Sequence, residues 1–153
     1  PDVVPAAEAL LAGWCADPDR PYVWTTLGNA VLLAHLAADC GLTRFAAPLL
    51  ADLEPFVDRI GVIGQIGVAG PAALATARLR ALSGDVAGAR DDLAIAHSLA
   101  ARTGGAPSLL RCALLAAQLI DDPADRAAAA AQVAADAAKL GMLGLVKVAE
   151  NLR

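Results

Sequence analysis

Residues 83–104 read SGDVAGARDDLAIAHSLAARTG. Ser83-Gly84-Asp85 is a tight turn. Asp85 is suited to cap a helix, because its carboxylate can accept from the amides that a helix start leaves free. Val86, Ala89, Leu93, Ala96 and Ala100 then recur at steps of three and four, which is one face of a helix. Arg90, Asp91, Asp92, Ser98 and Arg102 fall mostly elsewhere, on the side expected to meet solvent. Gly104-Gly105 reads as the C-terminal stop.

Residues 40–61, CGLTRFAAPLLADLEPFVDRIG, can be laid on that stretch. Gly41 and Gly84 are 43 residues apart, as are Ala46 and Ala89, Leu50 and Leu93, and Gly61 and Gly104. Small residues suit close helix crossings, and the leucine fills the space below. A third pair is expected over Pro107–Gly141, with irregular length. Helical hairpins of this kind cannot bury their apolar faces alone, so they stack on their neighbours.

Working outward, an N-terminal helix is expected over Pro5–Ala16, then a turn cluster from Asp17 to Pro21. A helix follows from about Pro21 to Asp39, stopping at Gly41. Thr43 is the expected N-cap of a helix reaching about Val57. Further helices are expected over Pro71–Leu82, Asp85–Arg102, Pro107–Ile120, Pro123–Leu140 and Met142–Leu152. Asp122 caps the one that opens with Pro123.

Between Arg59 and Arg78 lie eighteen uncharged residues that include RIGVIGQIGVAGP, residues 59–71. Gln65, Pro71, Thr76 and four glycines make this a poor membrane span, which needs about 20 strongly apolar residues. A phosphate loop needs Lys-Ser or Lys-Thr after its last glycine, and here Pro71 and Ala72 follow Gly70. The G-x-x-G spacing also fails the dinucleotide fingerprint. The stretch reads as a non-helical connector with its isoleucines and valines tucked inward, ending at a helix whose first residue is Pro71.

Composition agrees with a helical chain. Its 153 residues are 58% hydrophobic but only 3% aromatic, and alanine, the best helix former, makes up much of the difference. The net charge of −4, with no basic stripe, argues against nucleic acid. Cys15, Cys40 and Cys112 lack metal-site spacing and read as buried thiols in a reducing, cytoplasmic compartment. No cofactor or metal motif and no catalytic triad can be assembled. Ser83, Ser98 and Ser108 have structural roles, and His35 and His97 lack partners at helical spacing. Trp14, Tyr22 and Trp24 read as packing anchors.

The small–large–small run Ala89, Leu93, Ala96 resembles that of tetratricopeptide repeats. The family's tryptophan, tyrosine and terminal proline are missing, and the period exceeds the usual length of roughly 34. A broader resemblance covers about Leu27 to Leu152. Leu53, Pro55 and Phe56, the glycine-rich connector, Gly70-Pro71, the SGD turn and RTGGAPSLLR together resemble the C-terminal helical region of large bacterial signalling ATPases. Those proteins carry an AAA-type or STAND-type NTPase module, with a LuxR-type DNA-binding domain or a class III nucleotide cyclase domain. Ser108 stands where that family often has an aromatic.

The expectation is an all-α fold, an α-α superhelix of stacked antiparallel helix pairs, with residues 1–153 forming one helical-repeat domain cut from a longer protein. The resemblance implies a non-catalytic sensor or interaction arm of a transcriptional regulator or cyclase. A free-standing adaptor for a peptide is the alternative, and a small-molecule-binding helical domain a more distant one. Expected partners are a protein or peptide, domains of the same chain included, without direct nucleic-acid or membrane contact; self-association through end helices such as Pro123–Leu140 stays open. His35 and Arg78 occupy the same repeat position, and Arg111 is the cation of the third pair. These three are the candidate groove residues, suited to a carboxylate or an acidic peptide.

Overall fold

The computed structural model describes residues 3–17, 19–65, 67–103 and 105–152. Eight α-helices form among them: α1 (Val4–Cys15), α2 (Thr26–Asp39), α3 (Ala46–Leu53), α4 (Ala72–Leu82), α5 (Val86–Arg102), α6 (Ala106–Gln118), α7 (Pro123–Lys139) and α8 (Leu143–Glu150). Strands β1 (Ile60–Ile63) and β2 (Gly67–Pro71) lie between α3 and α4. The chain divides into two compact units, Pro1–Ala96 and His97–Arg153, with the boundary inside α5. None of the helices is long and apolar enough to cross a membrane among the described residues.

The punctuation signals act as their chemistry predicts. Gly41, Gly84 and Gly141 adopt positive φ of 67°, 83° and 70°, a region that costs glycine nothing. At each, the next amide reaches back across the turn. Leu42 N–H donates to Ala37 O (2.9 Å), Asp85 N–H to Arg80 O (2.9 Å) and Met142 N–H to Ala137 O (3.0 Å). These are Schellman turns, which satisfy carbonyls left open at a helix end. They join α2 to α3, α4 to α5 and α7 to α8, and the pair expected over Pro107–Gly141 forms as α6 and α7, which pack on each other. Asp85 Oδ1 accepts from Gly88 N–H (2.9 Å), and Asp122 Oδ1 accepts from the amides of Ala124 (2.8 Å) and Asp125 (2.9 Å).

Ala46 and Ala89 are both buried and Leu50 and Leu93 both half-buried, whereas Gly61 lies inside β1 and not at a helix stop. Its counterpart Gly104, like Pro18 and Ile66, lies outside the described residues.

Three boundaries ahead of the glycine-rich stretch differ from the sequence reading. Helix α2 begins at Thr26, not Pro21: Val23 N–H donates to Thr26 Oγ1 (2.8 Å) and Thr26 N–H to Val23 O (2.8 Å), which closes a local turn ahead of the helix. Thr43 opens a 3₁₀ turn (Thr43–Phe45) and makes no side-chain cap. Helix α3 stops at Leu53 and passes into a second 3₁₀ turn, Glu54–Phe56, because Pro55 has no amide to continue the ladder.

The glycine-rich stretch is a β-hairpin rather than a connector. Strands β1 and β2 pair antiparallel, Gly61 opposite Gly70 and Val62 opposite Val68, with a bulge between Gly61 and Val62. The valines face the opposite way to the expectation: Val62 and Val68 are exposed, while Gly61, Ala69 and Gly70 are buried and Ile63 packs half-buried against the core. Close approach is the cause. A Cβ on Gly61 would stand 3.1 Å from Gly28 Cα and 3.1 Å from Val31 Cγ2, and one on Gly28 would stand 2.1 Å from Val62 O. Backbone meets backbone here, and only glycine leaves room. Pro71 ends β2 and is the N-cap of α4, not its first residue.

In the first unit, α2, α3 and α4 pack on one another around Val31, Leu49, Leu53, Ala72, Ala75 and Leu79, and α1 adds Leu11. In the second, α6, α7 and α8 meet at Leu114, Val133, Ala134 and Ala149.

Candidate functional site

The chain has five aromatic residues. Only Phe45 belongs to the core. Three others line one cleft of about 270 Å³ in the first unit: Trp14 at the end of α1, Tyr22 in the segment before α2, and Phe56 in the turn after α3. Leu27, Ala30, Ala51 and Pro55 supply its aliphatic surface, and Arg20, Thr26 and Asp52 its polar groups.

Asp52, on α3, organises one wall. Its Oδ2 accepts from Trp14 Nε1–H (2.8 Å) and from Arg20 Nη1–H (3.2 Å). Arg20 also donates from Nη2 to the Trp14 carbonyl (2.7 Å) and lies over the indole at 4.0 Å, a cation–π contact. Thus Trp14, Arg20 and Asp52 lock the end of α1 to α3. Tyr22 and Phe56 form the other wall, with stacked rings 5.6 Å apart and 22° from parallel. The Cys15 thiol is raised above its usual pKa by burial first and by the Asp52 charge second, with Arg20 opposing.

The expectation that Trp14, Tyr22 and Trp24 are packing anchors holds for Trp14, which is half-buried against the core, and needs correction for the other two: Tyr22 is 61% exposed and Trp24 64%. The ring of Trp24 lies against Gly64 in the hairpin turn, where a Cβ would meet it at 3.5 Å. Among the thiols, Cys112 is buried, whereas Cys15 and Cys40 are only half-buried.

Two of the three candidate groove residues meet. Arg78 on α4 donates from Nη1 to His35 Nδ1 on α2 (3.1 Å). Arginine can only donate, so Nδ1 is the acceptor and the neutral ring carries its proton on Nε2. Arg78 Nη2 also donates to Asp39, so its charge is already matched. Arg111 is exposed on α6, in the second unit, beside an open depression formed with residues 141–145.

A second charged cluster had no sequence signal. Arg80 donates from Nε to Asp92 (2.9 Å), from Nη1 to Asp85 (3.1 Å) and from Nη2 to Glu54 (2.8 Å). Its pKa is raised, by the Asp92 bond most of all, with burial working against it. Asp92 is therefore buried, not on the solvent side of α5. A Cβ at position 88 would fall 2.3 Å from Asp85 Oδ2, so a side chain there would have to displace that carboxylate from its place beside Arg80. The cluster ties the turn after α3 to α4 and α5.

The described residues contain no group of three or more His, Cys, Asp or Glu placed to hold a metal. No protein-family model matches the chain, and neither a curated protein nor a solved structure does.

Proposed function

We propose that this chain is a non-catalytic interaction module that docks a protein partner through the Trp14–Tyr22–Phe56 cleft. The carrying observation is the placement of the aromatics: three of five line one cleft, and only one is in the core. Aromatic side chains concentrate at protein interfaces because they bury much area at little entropic cost.

On the resemblance described above, the module is a tetratricopeptide-like superhelix and the C-terminal sensor arm of a multi-domain bacterial ATPase regulator in the cytoplasm. ATP hydrolysis and DNA binding or cyclisation then belong to other domains of that protein. The recurring Schellman turns support a repeat built from helix pairs. Partner binding acts by population shift, favouring one packing of the arm over another.

The test is a photo-crosslinker, p-benzoylphenylalanine, placed at Tyr22 in the source cell, with the same label at exposed Leu140 as control. An adduct that maps to one segment of the parent chain supports the arm, and one that maps to one segment of a separate protein supports a free-standing adaptor. Scattered adducts, or the same adducts from both positions, refute the docking cleft.

A further inference from the structure

We propose that the cleft receives a basic side chain, a lysine or arginine carried by the protein partner. This deepens the docking reading and rests on it.

Charge balance is the first ground. Pro1–Ala96 contains eleven acidic side chains and six arginines, a net of −5, whereas His97–Arg153 contains five acids and six cations. Arg20 is matched by Asp52, Arg44 by Glu8, Arg59 by Asp58, Arg78 by Asp39, and Arg80 by three carboxylates. The surplus is acid, and exposed Asp17 and Asp19 stand in the segment that leads to Arg20. An acidic peptide would meet like charge here.

The cleft itself is the second ground. The Trp14 and Arg20 bonds both end on Asp52 Oδ2, so Oδ1 of this one-third-exposed carboxylate keeps its acceptor capacity. Beside it stand the Tyr22–Phe56 stack and the aliphatic edge of Leu27 and Pro55. A lysine or arginine has an apolar stem to lay on that surface and a cationic head to meet an aromatic face or a carboxylate. Arg20 already binds in this manner, its guanidinium over the Trp14 ring and bonded to Asp52. The guest repeats that arrangement on the other carboxylate oxygen. Because Arg20 offsets part of the Asp52 charge, the attraction draws on the whole unit's net charge and weakens with salt.

The experiment uses the indole N–H resonance of Trp14, one of two indoles in the chain, assigned with Trp24→Phe. The ¹⁵N-labelled chain is titrated with N-acetyl-arginine amide, N-acetyl-lysine amide, N-acetyl-leucine amide and N-acetyl-glutamate amide. The arginine and lysine probes are expected to shift the resonance saturably, with affinity falling at least threefold as salt rises from about 20 to about 300 mM. Asp52→Asn should abolish the response. Since that change also touches the Trp14 and Arg20 bonds, Tyr22→Ala, which leaves them intact, provides the second variant and should weaken binding. A salt-independent shift with the leucine probe as large as with arginine overturns the cationic assignment and leaves the docking cleft standing. Preference for glutamate overturns it as well. No response to any probe removes both.

Discussion

Alanine at position 28 should destabilise the first unit, although Gly→Ala inside a helix ordinarily stabilises by about 1 kcal/mol. The new Cβ would lie 2.1 Å from Val62 O and 2.8 Å from Val62 C. Ordinary contact begins at 3.4 Å, so the hairpin must retreat by about 1.3 Å. The obstacle is backbone, not a side chain that can rotate away. Retreat also unseats Gly61 and buried Ala69 from α2. Overpacking of this kind costs about 3 kcal/mol at the upper end of its usual range. After the propensity gain, the net loss is about 2 kcal/mol, or roughly 4–8 °C in Tm for a chain of this size. Gly13→Ala on α1 is the control, because nothing lies within 4 Å of its Cβ. It should gain about 0.5–1 kcal/mol. Urea unfolding followed by tryptophan fluorescence reports on the right unit, since Trp14 and Trp24 both lie in it. A Gly28→Ala midpoint at or above wild type, or a loss for Gly13→Ala equal to that of Gly28→Ala, refutes the close-approach argument.

Arg80→Met keeps the apolar stem but leaves Asp92, whose side chain is 12% exposed, without its cation. It should cost about 2–3 kcal/mol in urea unfolding. The double variant R80M/D92L should recover part of that loss, and strictly additive losses would show that the two groups are not coupled. The Asp85 carboxyl is held below its ordinary 3.8, by the Gly88 amide first and Arg80 second. A group more acidic in the folded chain adds stability above its unfolded pKa and loses it as pH falls through the folded value. Asp85→Asn can keep the Gly88 bond but does not titrate, so the wild type's advantage should shrink between about pH 5 and pH 2; a constant difference would contradict this assignment. Burial pushes the Cys112 thiol up to about 11. In the native chain it should therefore be alkylated by iodoacetamide more slowly than Cys40, with peptide mass mapping as the readout. Equal rates would mean that this part of α6 opens readily.

Legibility followed the range of the physics. Helix stops and caps were readable because each is settled within about one turn. Gly41, Gly84 and Gly141 take positive φ, and Asp85 and Asp122 accept amides two or three residues ahead. The 43-residue spacing pairs Ala46 with Ala89 and Leu50 with Leu93, and each pair shares a degree of burial. The same spacing brought His35 and Arg78 into register, and α2 and α4 do place them in contact. The cleft was not legible. Trp14, Arg20 and Asp52 meet across 38 and 32 residues, a separation that no local pattern encodes. Scarcity was the available signal: four of the five aromatics fall in 14–24 and at 56, and their small number invited a core assignment.

By itself, then, the sequence determined that most of the chain is helical and where the turns at Gly41, Gly84 and Gly141 stop a helix. Only the tertiary structure decided what those helices touch. Four glycines at triplet spacing look the same in a connector and in a hairpin, until Gly28 brings α2 against the Val62 backbone and turns the valines outward. Asp92 looks like any exposed acid until Arg80 arrives from α4. Turn and cap energies are set by neighbours along the chain, whereas burial, ion pairing and cleft shape are set by neighbours across it.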